Sequence, residues 1–220
     1  GYYKNDKETK KILDKDGWIK SGDFGKINDN GHLSVIDRLV DKGKINSALV
    51  FTPQSIENKL KQSLFIQDAI VSGDGKDFVT AIIVVDPESL GSHLEKAGVG
   101  FSGYIDLSQQ DLGFDLIKKD IDKLNEELGE TETFSGLQVK RFTILHKQLD
   151  SIDGELTQTG KLRRKEVNKR FKKVIDALHS EKDTVELASN PKTEKSAGKG
   201  RKVLLKIRNT KFNDKNGLDS

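Results

Sequence analysis

The stretch Ala69-Ile70-Val71-Ser72-Gly73-Asp74-Gly75-Lys76-Asp77-Phe78-Val79-Thr80-Ala81-Ile82-Ile83-Val84-Val85 decides the fold. Two apolar runs, Ala69–Val71 and Val79–Val85, flank the turn residues Gly73 to Asp77. Runs of this length with glycine and aspartate between them predict an antiparallel hairpin. Helical patterns lie on both sides of it. Upstream, Thr52 is placed to cap a helix with Pro53 at its first position. Ile56, Leu60 and Leu64 follow at helical spacing, which predicts a short amphipathic helix over 53–63. Downstream, a helix is expected from about Pro87 to Lys96, then a loop marked by Gly98, Gly100 and Gly103. A longer helix from about Asp111 to Leu128 carries Leu116, Ile117, Ile121, Leu124 and Leu128 on one stripe. Val139 to Leu145 reads as a third strand, and Asp150 to Gly160 as a polar, turn-rich loop. A basic helix from about Arg163 to His179 then turns Val167, Phe171, Val174, Ile175 and Leu178 inward. The sum is an α+β domain, a short sheet with helices packed on it.

The ends of the chain read differently. Residues 1 to 36 read as short strands separated by turns, with Asn28-Asp29-Asn30-Gly31 as a hairpin turn before the strand His32–Ile36. Asp37 to Lys44 is charged and breaks that pattern. Residues 188 to 202 are poor in apolar side chains and read as a linker. Val203 to Arg208 reads as a last strand that would pair with Thr184 to Leu187, and the chain from Asn213 is expected to fray. There is no internal repeat.

Composition bounds the function. Among 220 residues, 38 basic and 35 acidic side chains leave a net charge of +3. Such a balance does not point to nucleic acid. There is no cysteine, so disulfides, thiolate nucleophiles and cysteine-bound zinc are excluded. No apolar stretch approaches the ~20 residues that cross a bilayer, and no leader opens the chain, so a cytoplasmic protein is the expectation. Methionine is absent even at position 1, and Gly1 is read as an internal start.

Three clusters could carry chemistry. In Gly17-Trp18-Ile19-Lys20-Ser21-Gly22-Asp23, a carboxylate follows a glycine turn, where its two oxygens could accept both hydroxyls of a vicinal diol such as ribose. Taken by itself, Ser-Gly-Asp is a common turn, and that is the first reading of it. In Ile36-Asp37-Arg38-Leu39-Val40-Asp41, Arg38 could reach a ribose oxygen or a phosphate, although an Asp-Arg pair is commonly a surface ion pair. In Gly154-Glu155-Leu156-Thr157-Gln158-Thr159-Gly160-Lys161-Leu162-Arg163-Arg164, a glycine turn presents Lys161 on an exposed loop. Its ammonium could offset charge on a phosphorus under attack, or it could be one solvated lysine in a basic run.

Taken in order, these clusters resemble the adenylate-forming superfamily of acyl- and aryl-CoA synthetases, luciferases and peptide-synthetase adenylation domains. Tyr2-Tyr3-Lys4-Asn5-Asp6-Lys7-Glu8-Thr9 is similar to that family's Y-x-x-N-x-x-x-T stretch. GWIKSGDFGKINDNGHLSVIDR (17–38) resembles its aspartate motif running into the hinge. FTPQSIENKLK (51–61) resembles the first helix of its C-terminal domain, and LTQTGKLRR (156–164) its terminal lysine motif. FTPQSIENKLK, GDGKDFVTAIIVVD and GYIDLSQQ point further, to the long-chain fatty acyl-CoA synthetase branch. The resemblance covers residues 1 to about 179.

It implies an ATP-dependent acid–thiol ligase. A fatty carboxylate attacks the α-phosphate of ATP to give acyl-AMP and pyrophosphate, and the thiol of coenzyme A then displaces AMP. It implies that Asp23 binds the ribose hydroxyls, that Arg38 supports the same ribose, that Asp37 is the hinge, and that Lys161 enters the site for the first half-reaction and leaves it for the second. Residues 1–36 would be the last strands of a large adenylation domain, 37–183 a mobile lid, and 184–220 a linker with a β-hairpin tail. Two positions depart from the family. Val40 stands where a lysine or arginine is usual, and Ala48 where a glycine is usual, so the coenzyme A contacts carry over least.

The family's phosphate loop is not in this sequence. Gly73-Asp74-Gly75-Lys76 and Gly198-Lys199-Gly200 do not fit G-x-x-x-x-G-K-[ST]. ATP and Mg2+ would therefore be bound mainly by residues outside this chain, and the chain by itself is expected to be inactive. No metal ligand set is assigned to it. The implied partners are fatty acid, ATP and coenzyme A, with no nucleic acid. A peripheral membrane contact and the oligomeric state are left open. Two other readings remain: an adenylation domain that loads a carrier-protein thiol, and a non-enzymatic module using the basic run Arg163, Arg164, Lys165, Lys169, Arg170, Lys172 and Lys173.

Overall fold

A computed structural model describes residues 1–39, 42–45, 49–130, 134–188 and 202–211; the side chains of residues 36–38 lie outside this description. Val40, Ala48, most of the 188–202 linker and the stretch from Asn213 fall outside it as well. The chain divides into two compact units, Gly1–Lys42 and Gly43–Ser220.

The first unit opens with α1 (Asp6–Ile12) and continues in the antiparallel pair β1 (Asp23–Ile27) and β2 (Leu33–Arg38). The turn at Gly31, with φ +76°, follows the expectation; the second strand runs two residues beyond it, because Asp37 and Arg38 pair with Phe24 and Asp23 where the charged stretch was read as a break. The helix also corrects the expectation, since residues 1 to 36 were read as strands. Its origin is local and polar. The Asn5 side chain accepts the Glu8 N–H at 3.2 Å, and Thr9 Oγ1 accepts the Tyr2 N–H at 2.8 Å while donating to the Asn5 carbonyl. A helix held by its cap has no apolar period to reveal it.

The second unit is a five-stranded sheet in the order β5-β6-β7-β9-β8. It begins with the small pair β3 (Gly43–Ile45) and β4 (Leu49–Phe51), then α2 (Pro53–Leu60), β5 (Ile66–Ser72) and β6 (Val79–Val85). Helices α3 (Pro87–Lys96), α4 (Tyr104–Ser108) and α5 (Asp111–Glu130) precede β7 (Val139–Ile144). Two short helices, α6 (Arg164–Arg170) and α7 (Lys172–Leu178), precede β8 (Thr184–Ala188) and β9 (Lys202–Asn209). β5 and β6 pair antiparallel, as their sequence predicts; β6 and β7 run parallel, and β9 joins β7 and β8 antiparallel. Thr184–Leu187 does pair with the Val203 strand, and that pair extends the main sheet.

Strand alternation explains why β6 is buried along its whole length. Val79, Ala81, Ile83 and Val85 enter the core under α2, α3 and α5, while Ile82 and Val84 enter the core under α6 and α7. The sheet is thus covered on both faces. Two helix expectations need correction. α2 stops at Leu60, and Leu64 is 72% exposed. Ser63 turns the chain there: its hydroxyl takes the Phe65 N–H and donates to Asp120. The basic helix is two helices, broken at Phe171 (φ −97°, ψ 18°), whose buried ring fills the second core. Among the described residues no helix is long and apolar enough to cross a membrane.

Candidate functional site

Lys161 sits on a tight hairpin between β7 and α6. Leu156 and Leu162 form an antiparallel bridge, and both are half-buried against the second core. Alternation therefore sends Lys161, next to Leu162, outward, and it is exposed. The turn is closed by its own threonine. Thr157 N–H donates to the Lys161 carbonyl at 2.8 Å, Gly160 N–H donates to the Thr157 carbonyl at 3.0 Å, and Lys161 N–H donates to Thr157 Oγ1 at 3.0 Å. Gly160 lies at φ +75°, in the left-handed region where a side chain costs about 1 kcal/mol or more. One rung further out, Arg163 N–H donates to the Glu155 carbonyl at 2.8 Å.

Both ends of the hairpin are held by charge. On the entering side Glu155, 1% exposed, accepts from Lys147 Nζ and Arg170 Nη1, each at 2.8 Å. Lys147 also donates to Asp153 at 2.8 Å. Burial alone would lower the Lys147 pKa, but the hydrogen bonds and charges of Asp153 and Glu155 outweigh it and hold the ammonium above its ordinary range. Asp150, Asp153 and Glu155 bring three carboxylates together, and Lys147 and Arg170 pair with them, offsetting two of the three charges. On the leaving side, Arg164 makes a two-point contact with Glu57 on α2, at 2.8 and 2.7 Å. Glu57, 5% exposed, also accepts the Val71 N–H of β5 at 2.9 Å.

Sequence reasoning named Lys161 but missed Glu57, Glu155 and Lys147, and it took Arg164 and Arg170 for parts of a basic run. A signal existed for Glu57. The buried positions of α2 are Pro53, Ile56, Glu57 and Leu60, an i, i+3, i+4, i+7 pattern in which one core position is a carboxylate. Two further cations of the run are occupied within the fold: Lys172 pairs with Asp176, and Lys173 donates to the Glu186 carbonyl.

The other sequence candidates lie in the first unit. Asp23, exposed, opens β1 just after Gly22 at φ +75°, and its N–H donates to Ser21 Oγ at 3.2 Å. The strand register sets Asp23 opposite Arg38 and Phe24 opposite Asp37. The hairpin therefore brings the backbones of the two nucleotide-binding candidates together; the Asp37 and Arg38 side chains lie outside the described atoms.

Residues 46–183 match the AMP-binding enzyme C-terminal domain. Long-chain-fatty-acid–CoA ligase 5 of Rattus norvegicus is 34% identical over 180 residues, 81% of this chain and 26% of that protein. Long-chain-fatty-acid–CoA ligase 6 of Homo sapiens is 37% identical over 183 residues, 82% of this chain and 25% of that protein. The chain thus spans about a quarter of the length of these curated relatives. Among solved structures, the adenylation domain of a carboxylate reductase from Mycobacterium chelonae aligns with a TM-score of 0.62 at 20% identity, over 81% of this chain and 25% of that one. The corresponding domain from Segniliparus rugosus, in complex with AMP and a co-purified carboxylic acid, aligns with a TM-score of 0.61 at 22% identity, over 81% of this chain and 26% of that one. At that identity the likeness speaks for the fold.

Proposed function

The chain belongs to the AMP-binding enzyme C-terminal domain family, and on that footing we propose that it is the lid-bearing part of an AMP-forming ligase that joins long-chain fatty acids to coenzyme A. In this reading residues 37–183 are the lid, and residues 1–36, with α1 and the β1–β2 hairpin, are the closing segment of a large domain that holds most of the ATP, its Mg2+ and the acyl chain. The observation that carries it is Lys161, exposed on a hairpin whose two ends are fastened by buried ion pairs. A backbone held that way carries the lysine to a site without the loop first having to be ordered, so the entropy lost when the lid closes is mainly that of the one side chain.

The chemistry follows in two steps. A carboxylate oxygen of the fatty acid attacks the α-phosphorus of ATP, the bond to the bridging oxygen breaks, and pyrophosphate leaves. The Lys161 ammonium stabilises the negative charge that gathers on the phosphoryl and carboxylate oxygens. The lid then turns about Asp37 and withdraws Lys161. The coenzyme A thiol, losing its proton, attacks the acyl carbon, and AMP leaves with the electron pair of the broken bond. Asp23 accepts hydrogen bonds from the ribose hydroxyls, and Arg38 supports the same sugar.

Coenzyme A is favoured as acceptor by 34–37% identity to proteins named as CoA ligases. The first unit favours a large domain: Ile27 lies opposite Leu33, Val35 shares that strand face, and all three are exposed, as are Trp18 and Ile19. The test is Lys161→Ala in the full-length enzyme. It should abolish acyl-AMP formation while sparing thioester formation from supplied acyl-AMP; equal loss of both steps would overturn the assignment. Pyrophosphate release from ATP and palmitate by the 220-residue chain by itself would overturn the division of labour.

A further inference from the structure

Glu57 and Arg164 stand 107 residues apart in sequence and make the two-point contact described above. Three elements meet at this carboxylate. It is carried by α2, it takes the Val71 N–H of β5, and it grips Arg164, three residues after Lys161. Side-chain exposures of 7% for Glu57 and 15% for Arg164 leave little water to compete. A buried pair of this kind is poor evidence for stability, because desolvation offsets most of its attraction. It is good evidence for geometry, because two parallel hydrogen bonds fix the guanidinium plane. At the other end, Glu155 is fixed by Lys147, Arg170 and the Asp150 N–H. The hairpin between them has only a few backbone rungs and one glycine at φ +75° to define its direction.

We infer that Glu57 and Arg164 are positioning residues for Lys161: their pairing sets where the hairpin points its ammonium when the lid closes. This rests on the role given to Lys161 above and deepens it. The pair touches no substrate. It acts by fastening the hairpin to α2 and β5, so that a displacement at Arg164 is carried through Arg163 and Leu162 to the lysine. An ångström-scale error at a charge-stabilising group costs on the order of tenfold to a hundredfold in rate.

The test uses the full-length enzyme with Glu57→Gln, Arg164→Gln, the double variant and Arg164→Lys, and Lys161→Ala beside them. ATP–pyrophosphate exchange reads the first half-reaction, and thioester formation from supplied acyl-adenylate reads the second. Each single glutamine variant should lose about tenfold or more in kcat of the first half-reaction and stay within about twofold in the second. The double variant should be no worse than the worse single one, because both remove one contact. Amide exchange supplies a readout apart from chemistry: the Thr157, Gly160 and Lys161 amides should exchange faster while those of Ile82 and Phe142 keep their protection. Should the glutamine variants lose that core protection, Arg164→Lys decides: its single ammonium should give a smaller but still selective loss of the first step. Equal losses in both half-reactions, or unchanged exchange in the hairpin, overturn the inference. Loss of the first step in Lys161→Ala with wild-type rates in the Glu57 and Arg164 variants overturns the positioning role and leaves the lysine's role standing. An unimpaired Lys161→Ala overturns the lysine's role, and the positioning role falls with it.

Discussion

Thr157 and Lys161 are bonded to each other twice. The threonine N–H donates to the lysine carbonyl at 2.8 Å, and the lysine N–H donates to the threonine hydroxyl oxygen at 3.0 Å. The second bond is the one a substitution can remove without touching the backbone. Thr157→Val keeps the shape and β-branching and deletes the acceptor. A neutral hydrogen bond is worth about 0.5–1.5 kcal/mol, so the hairpin should loosen rather than unfold. Under the role proposed for Lys161, the expected outcome is a loss of about three- to tenfold in acyl-adenylate formation by the full-length protein, with Thr157→Ser near wild type. Steady-state kinetics of pyrophosphate release checks both variants.

Arg141 on β7 closes the carboxyl end of α7. Its guanidinium donates to the carbonyls of Ala177, Leu178, Ser180 and Lys182 and to Asn209 Oδ1, and the residue is only 6% exposed. The nearest carboxylate, on Asp183, lies at 3.6 Å and is mostly in water, so carbonyl dipoles do most of the neutralising. Arg141→Met leaves those acceptors without their donor. The cost should be about 3 kcal/mol, seen as a lower urea midpoint with unchanged slope. Arg141→Lys should recover only part of it, since one ammonium cannot span the same carbonyls.

His179 should make stability depend on pH in the mildly acidic range. Its Nε2 lies 3.2 Å from Thr80 Oγ1, and its ring packs against Phe78 at 5.0 Å between centroids. Burial, and then the positive charge of Lys76, push its pKa down to about 4. Asp176 and Asp77 oppose that shift, and Arg141 adds to it. Above pH 6.5 the ring is neutral in both folded and unfolded chains. Below it the unfolded chain takes a proton that the folded chain refuses until about pH 4, so this stability falls as pH falls through that window. With solvent screening of a half-buried ring discounted, the loss at pH 4 is about 2 kcal/mol. His179→Gln should flatten the wild-type slope between those limits in urea titrations, and the imidazole resonance should titrate near pH 4.

What the sequence made legible follows physical rules that act over short distances. β6 could be read because all seven of its positions are buried, so its run is apolar but for Thr80, a β-branched residue that strands favour and whose hydroxyl is bonded to Ser72. α3 could be read with nearly its observed bounds because Pro87 opens it; the structure adds Asp86 as its cap, accepting the Ser89 N–H. Where the deciding contact is distant or polar, reading fails. Leu64 continues a helical period that Ser63 has already ended through Asp120, 57 residues away. α1 exists through Asn5 and Thr9 with no apolar face. Lys161 could be located by its motif, but the clamp on its hairpin could not, because Arg164 finds its partner across 107 positions.

The final prediction concerns Trp18, the single tryptophan of the chain. It is 75% exposed and belongs to the first unit, none of whose described side chains is buried. A unit without a core has no cooperative transition of its own, since little apolar area leaves water when it forms. The second unit has two apolar cores and should unfold cooperatively. In the 220-residue chain, Trp18 emission should therefore resemble that of free tryptophan and be quenched freely by acrylamide. On urea titration it should drift without a sigmoid, while far-UV ellipticity, dominated by the second unit, shows one. In a full-length enzyme, where a large domain would cover Ile19, Ile27, Leu33 and Val35, the same emission should shift to the blue and resist quenching. A blue-shifted, protected Trp18 whose transition in the 220-residue chain coincides with the ellipticity would show that this unit is already covered, and would remove the support that its exposed apolar residues lend to the proposed large domain.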